Sequence, residues 1–192
     1  MQSVKPLVLA SQSPRRIALL SQIGLAPQVV PSSVEEDFDP GSLPSENAMR
    51  LAAAKAMDVG TRFDNAVIIG ADTIVVLEGK CLGKPLRPEE AIEMLERLSG
   101  RTHVVVTGFA LLDRPSDRLV VDFESTKVTF RELPRKEIES YVASGSPMDK
   151  AGAYGIQDDY GAVFVSRIEG CYYNVVGLPL SKVHSRLNEF YL

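Results

Sequence analysis

Hydrophobic positions switch between two periods along the chain. Leu7-Val8-Leu9-Ala10 is a short continuous apolar run, the pattern of a buried strand. After it the period lengthens: Ile17, Leu20 and Ile23 recur at helical spacing. Ser13 stands before them as an N-cap, Pro14 takes the first helical position and Gly24 is the stop. Gln28 to Val30 reads as extended, and the acidic loop Glu35 to Gly41 follows. A helix is expected from Pro44 to about Val59, carrying Arg50, Lys55 and an alanine-rich face, with Gly60 closing it. Ala66 to Ala71 is the continuous apolar run of a central strand. Asp72 interrupts it, Thr73 to Leu77 resumes it, and Glu78-Gly79-Lys80 is a turn.

Pro88 opens the next helix, with Ile92, Leu95 and Leu98 on one face and Gly100 beyond its end. Thr102 to Asp113 is β-branched and apolar, and Leu119 to Phe130 alternates. The turn signal Arg114-Pro115-Ser116-Asp117 between them predicts a hairpin. A helix from Pro134 through Val142, a strand over Ala162 to Ile168 and a last helix from about Pro179 complete the reading. Leu180, Val183, Leu187 and Phe190 line one side of that last helix. Strands interleaved with helices, and hairpins among them, predict an α/β fold with a mixed, twisted sheet flanked by helices. Repeats, low-complexity tracts and linkers are not evident. One domain over 1–192 is expected, with about 88–145 as a candidate smaller lobe.

Composition narrows the function classes. The chain has 192 residues, 45% of them apolar and 24% charged, as in an ordinary globular protein. With 21 basic and 25 acidic residues its formal charge is -4, which disfavours sequence-independent duplex binding. No apolar run approaches a membrane span, and Leu7 to Ala10 is too short for a signal-peptide core. Two cysteines, Cys81 and Cys171, cannot build a disulfide framework or a four-ligand zinc site, so a reduced cytoplasmic setting is expected. With only His103 and His184, the chemistry falls to carboxylates, lysines, arginines and backbone groups.

Five segments are candidates for that chemistry. Ser11-Gln12-Ser13-Pro14-Arg15-Arg16 sits where a strand meets a helix N-terminus, a natural anion site reinforced by two hydroxyls and two guanidinium groups. Its alternative is a capped helix with solvated arginines. Asp72, in Gly70-Ala71-Asp72-Thr73, is a carboxylate within an apolar strand, costly unless paired or metal-bound. At a break in that strand it would point into a cleft; otherwise it is a turn aspartate. Glu35-Glu36 can hold Mg²⁺ or simply be a solvated loop. Lys55 and Lys84 are anion ligands or surface lysines, with Gly83 and Pro85 fixing the backbone around Lys84. The small residues of Asp149 to Gln157 permit close backbone approach to a ligand, or form a tight structural turn. Together these groups suit metal-assisted hydrolysis of a phosphoanhydride.

The same segments resemble the Maf family of nucleotide pyrophosphatases. The resemblance rests on Ala10 to Arg16, Val34-Glu35-Glu36, Gly70 to Thr73, Gly83-Lys84-Pro85, Ser99 to His103, Asp149 to Gln157 and Gly177-Leu178-Pro179, which span nearly the whole chain. It implies two lobes around a deep cleft, as in the inosine-triphosphate pyrophosphatase architecture, and cleavage of a nucleoside triphosphate to the monophosphate and pyrophosphate. The Ala153-Tyr154-Gly155-Ile156-Gln157 ending resembles the branch acting on dTTP and UTP. By resemblance, Asp72 is the proton acceptor and a metal contact, and Glu35 is a ligand of Mg²⁺ or Mn²⁺. Arg15, Arg16, Lys55 and Lys84 neutralise the triphosphate, and Ser11 and Ser13 donate hydrogen bonds. Arg15, Thr73 and Gln157 match positions tied to substrate choice, and the Gln157 amide suits the O4/N3 edge of thymine or uracil. After Gln157 the sequence Asp158-Asp159-Tyr160-Gly161 departs from the family, which often places glycine earlier. A homodimer is also implied by the resemblance, while the acidic balance and the short apolar runs lead to no expectation of nucleic-acid or membrane partners. Two other readings stay open: a house-cleaning pyrophosphatase for modified nucleotides, and a nucleotide-sensing regulator of septum formation.

Overall fold

Twelve-residue β3 (Ala66–Leu77) is buried on both faces and organises the sheet around it. The computed structural model describes residues 5–157 and 159–191. Before β3 come β1 (Leu7–Leu9), α1 (Pro14–Gln22), β2 (Gln28–Val29) and α2 (Pro44–Gly60). After it come β4 (Lys80–Leu82), α3 (Pro88–Leu98), β5 (Thr102–Arg114), β6 (Leu119–Phe130), α4 (Arg135–Ala143), β7 (Val165–Glu169), α5 (Tyr172–Val176) and α6 (Leu180–Tyr191). The seven-stranded sheet has the order β2-β1-β3-β5-β6-β7, with β4 paired to β3. β1 runs parallel to β2 and β3, with Leu7 opposite Val67 and Leu9 opposite Ile69. β4 and β7 run antiparallel to β3 and β6. The predicted β5–β6 hairpin forms: Asp113 N–H donates to Arg118 O and Phe130 N–H donates to Arg101 O, one antiparallel register at both ends. The sheet is therefore mixed, as expected.

The chain packs as two compact units. One comprises the residues through Asp72, Thr107–Glu124 and Gly177 onward; the other comprises Thr73–Val106 and Ser125–Val176. In the first, one sheet face presents Val8, Ala10, Ile68, Ala110 and Leu112 to Ala52, Ala56 and Val59 of α2. Strand alternation puts Gly70 and Gly108 on that same face. A Cβ on Gly70 would stand 2.1 Å from Ala52 O, and one on Gly108 2.4 Å from the Ala48 carbonyl carbon, so α2 backbone lies directly on the strands. Gly60, expected as a stop, is the last residue of α2 and serves packing, since a Cβ there would meet Leu112 Cδ2 at 2.5 Å. Gly24 does act as the stop: at φ +76° it follows α1, and Leu25 N–H returns to Leu20 O.

The second unit is built on an aromatic cluster. His103, Phe130 and Tyr154 meet edge-on with ring centroids 4.7–5.3 Å apart, and Phe164 joins Phe130 to Tyr141. Buried Asn174 donates to Val105 O and Thr126 Oγ1, both at 2.9 Å, and so fastens α5.

Three expectations need correction. Ala162 to Ile168 is not one strand: Asp159–Phe164 is a 3₁₀ segment and the strand is Val165–Glu169. Gly161 packs so closely on Gly155 that a Cβ would lie 2.4 Å from its carbonyl oxygen, and Phe164 turns fully inward, so the segment coils despite its strand-like composition. Ser13 is extended at the N-cap of α1, but its side chain makes no capping hydrogen bond. Asp72 breaks the apolar run without breaking the strand, which continues through it. Helix α5 was not expected. Among the described residues no helix is long and apolar enough to cross a membrane.

Gly70→Ala should lower stability by about 3 kcal/mol or more in urea unfolding, because the clash is with backbone that cannot step aside. His103 gives a pH signature. Burial pulls its pKa from 6.5 down to about 4. The folded state therefore keeps the ring neutral while the unfolded chain protonates. The stability at stake is intact above about pH 6.5 and is lost as pH falls towards 4, to a total of about 3 kcal/mol. His103→Gln should remove that component from a plot of urea midpoint against pH.

Candidate active site

Asp72 lies two residues beyond Gly70 on the face that meets α2, and α2 turns Lys55 towards it on the same stripe as Ala52, Ala56 and Val59. Lys55 Nζ donates to Asp72 Oδ1 at 2.6 Å and to Glu36 Oε1 at 2.7 Å. Asp72 is 5% exposed and Lys55 6%. Burial pushes the Asp72 carboxyl above its ordinary pKa, Lys55 and Arg16 pull it back down, and Glu36 adds to the rise. With an ammonium at hydrogen-bond distance, the ionised pair is the arrangement that leaves neither group unsatisfied.

Arg16 is fixed from two sides. Its Nε donates to Gly177 O at 2.9 Å and its Nη1 to Ser11 Oγ at 3.1 Å. Ser11 Oγ also accepts Ser13 N–H at 3.2 Å. Dehydration lowers the Arg16 pKa, Asp72 and Glu36 oppose that shift, and neighbouring Arg15 adds to it. Of the expected residues, the first unit thus brings Ser11, Arg15, Arg16, Lys55 and Asp72 into one electrostatic neighbourhood. Glu36 belongs there too, and its bond to Lys55 went unforeseen because spacing alone cannot rank two adjacent loop carboxylates. Glu35 is exposed on the same loop.

Mg²⁺ and Mn²⁺ prefer oxygen donors, and Mg²⁺ takes only one or two carboxylates from many proteins, with water and phosphate completing the shell. Asp72 and Glu36, gathered at one ammonium, suit that demand. Among the described residues, no group of three or more His, Cys, Asp or Glu forms a cage for a cation.

Thr73, Lys84 and Gln157 lie in the second unit. Thr73 is half-buried and alternates to the face opposite Asp72. Lys84 is exposed, next to Gly83, whose carbonyl accepts Gly152 N–H at 3.0 Å. Gln157 is half-buried at the end of its small-residue segment, and Asp158 lies outside the described residues.

The profile of the Maf-like proteins matches residues 6–190. The chain belongs to the Maf family. It is 46% identical over 190 residues to the dTTP/UTP pyrophosphatase of Caldicellulosiruptor saccharolyticus, covering 97% of this chain and 95% of the relative. It is 49% identical to the protein of that name from Syntrophomonas wolfei, covering 93% and 94% of the two chains. With the Bacillus cereus protein of the same name it shares 47% over 98% of this chain and 92% of the relative. Family membership therefore extends over both units.

Removing Lys55 should expose the cost of the buried carboxylate in this Maf protein. Lys55→Met is expected to lose about 3–5 kcal/mol in urea unfolding, and adding Asp72→Leu should restore most of it. Additive losses in the double variant would mean that the two side chains do not depend on each other.

Proposed function

We propose that this Maf protein is a dTTP/UTP pyrophosphatase, hydrolysing the nucleotide to its monophosphate and pyrophosphate. The observation that carries the reading is the buried Asp72, held by Lys55 within reach of the Arg16 charge. Water attacks the α-phosphorus and the bond from that phosphorus to the bridging oxygen breaks. Asp72 takes the water's proton, and Lys55 and Arg16 oppose the rise that burial imposes on its carboxyl. Arg15, Arg16, Lys55 and Lys84 neutralise the triphosphate and the charge developing on departing pyrophosphate. Ser11 and Ser13 donate to phosphate oxygens, Ser11 while also orienting Arg16. Arg15, Thr73 and Gln157 select the base, with the Gln157 amide reading the O4/N3 edge.

Asp72 with the loop carboxylates Glu35 and Glu36 would hold the divalent cation. When bound, Mg²⁺ or Mn²⁺ supplies Lewis-acid polarisation of phosphate oxygens. The setting proposed is the cytoplasm, the protein a homodimer, and the substrate a free nucleotide rather than a nucleic acid.

The test is pyrophosphate release from dTTP, UTP, CTP, GTP and modified nucleotides, with and without Mg²⁺ or Mn²⁺. Metal-dependent turnover favouring dTTP and UTP is expected, and Asp72→Asn should bind nucleotide yet lose at least ~100-fold in rate. Full turnover by Asp72→Asn, or a preference for modified bases, would overturn the assignment.

A further inference from the structure

The segment ending in Gln157 is held by contacts within the second unit. Its start is clamped by Lys150, 7% exposed, whose Nζ donates to Ser146 O and pairs with Asp149 Oδ1 at 2.8 Å. Gly152 (φ +69°) and Ala153 (φ +61°) are then left-handed in succession. Alanine adopts that conformation only where its surroundings impose it. A Cβ on Gly152 would press on Val75 at 3.0 Å, and Gly152 N–H is tied to Gly83 O. Beyond, Gly155 is pinned against Gly161, where a Cβ would lie 2.4 Å from Gly155 O.

Between these two backbone clamps stands Tyr154. Its hydroxyl is 2.7 Å from His103 Nε2, both residues are buried, and its ring packs edge-on against His103 and Phe130 at 5.3 and 4.7 Å. In such surroundings no water replaces the bond when it is lost, so its orienting effect is larger than at a surface. Burial also keeps the His103 ring neutral through the physiological range, and the bond does not change character there.

We propose that Tyr154, through its hydroxyl bond to His103, is a positioning residue for base selection: it stakes the segment that presents Gln157, and so sets which base is accepted. The inference rests on the reading of Gln157 as the base-reading amide. Two residues, Gly155 and Ile156, separate the anchor from that amide, and the clamp at Gly155 leaves little slack between them.

Tyr154→Phe in the full chain removes the hydroxyl and keeps the ring. kcat for dTTP should stay within about twofold. KM for dTTP and UTP should rise about fivefold while KM for CTP holds, the factor expected for one ordinary hydrogen bond. Amide exchange over residues 152–157 should quicken by a similar factor. His103→Gln, which offers an amide near the Nε2 position, should retain more of the base preference than His103→Leu. This pair reads the same bond from the other side if Tyr154→Phe folds poorly. An unchanged base preference in Tyr154→Phe, or an equal loss for every nucleotide, overturns the inference alone. A wild-type chain without thymine or uracil preference overturns the activity reading and the inference with it.

Discussion

Contact between the α2 backbone and the central strands is the constraint on which the rest of the first unit depends. Gly70 and Gly108 put no side chain under α2 at their own positions, so its backbone at Ala48, Ala52 and Ala56 settles directly on the strands there. That depth brings Lys55 within 2.6 Å of Asp72. A helix held out by ordinary side chains would leave the carboxylate buried without its ammonium, a state the interior does not tolerate. Close packing and charge pairing here are one arrangement seen from two sides.

The ion pair is weak support for stability, because both groups lost water to form it. Its value is chemical. Lys55, itself braced on Glu36, opposes the rise that burial imposes on the Asp72 carboxyl, which under the proposed function serves as the base. Arg16 adds its charge to the neighbourhood of Asp72 while its Nε and Nη1 donate to Gly177 O and Ser11 Oγ.

Much of this was legible in the sequence. The periods of β3, α2 and the β5–β6 hairpin located those elements closely, and a lone aspartate in an apolar run marked Asp72 for a special role. Its partner was not legible as such, since Lys55 reaches it only through the depth at which α2 docks. The choice between Glu35 and Glu36 was hidden because a loop has no period to fix side-chain direction. Ala162 to Ile168 misled because its composition suits a strand, while the backbone approach of Gly161 to Gly155 demanded a coil. Five-residue α5 is too short to show a period, and only buried Asn174 in its apolar setting hinted at a fastened turn.

The bond from Arg16 to the Gly177 carbonyl spans 161 positions of sequence. A chain leaving the ribosome exposes Arg16 early and acquires that carbonyl only when synthesis is almost finished. Until then the guanidinium lacks that acceptor, and the first unit lacks α6 as well. A chain that ends before Gly177 thus carries Arg16, Lys55 and Asp72 but not the carbonyl that receives Arg16 Nε.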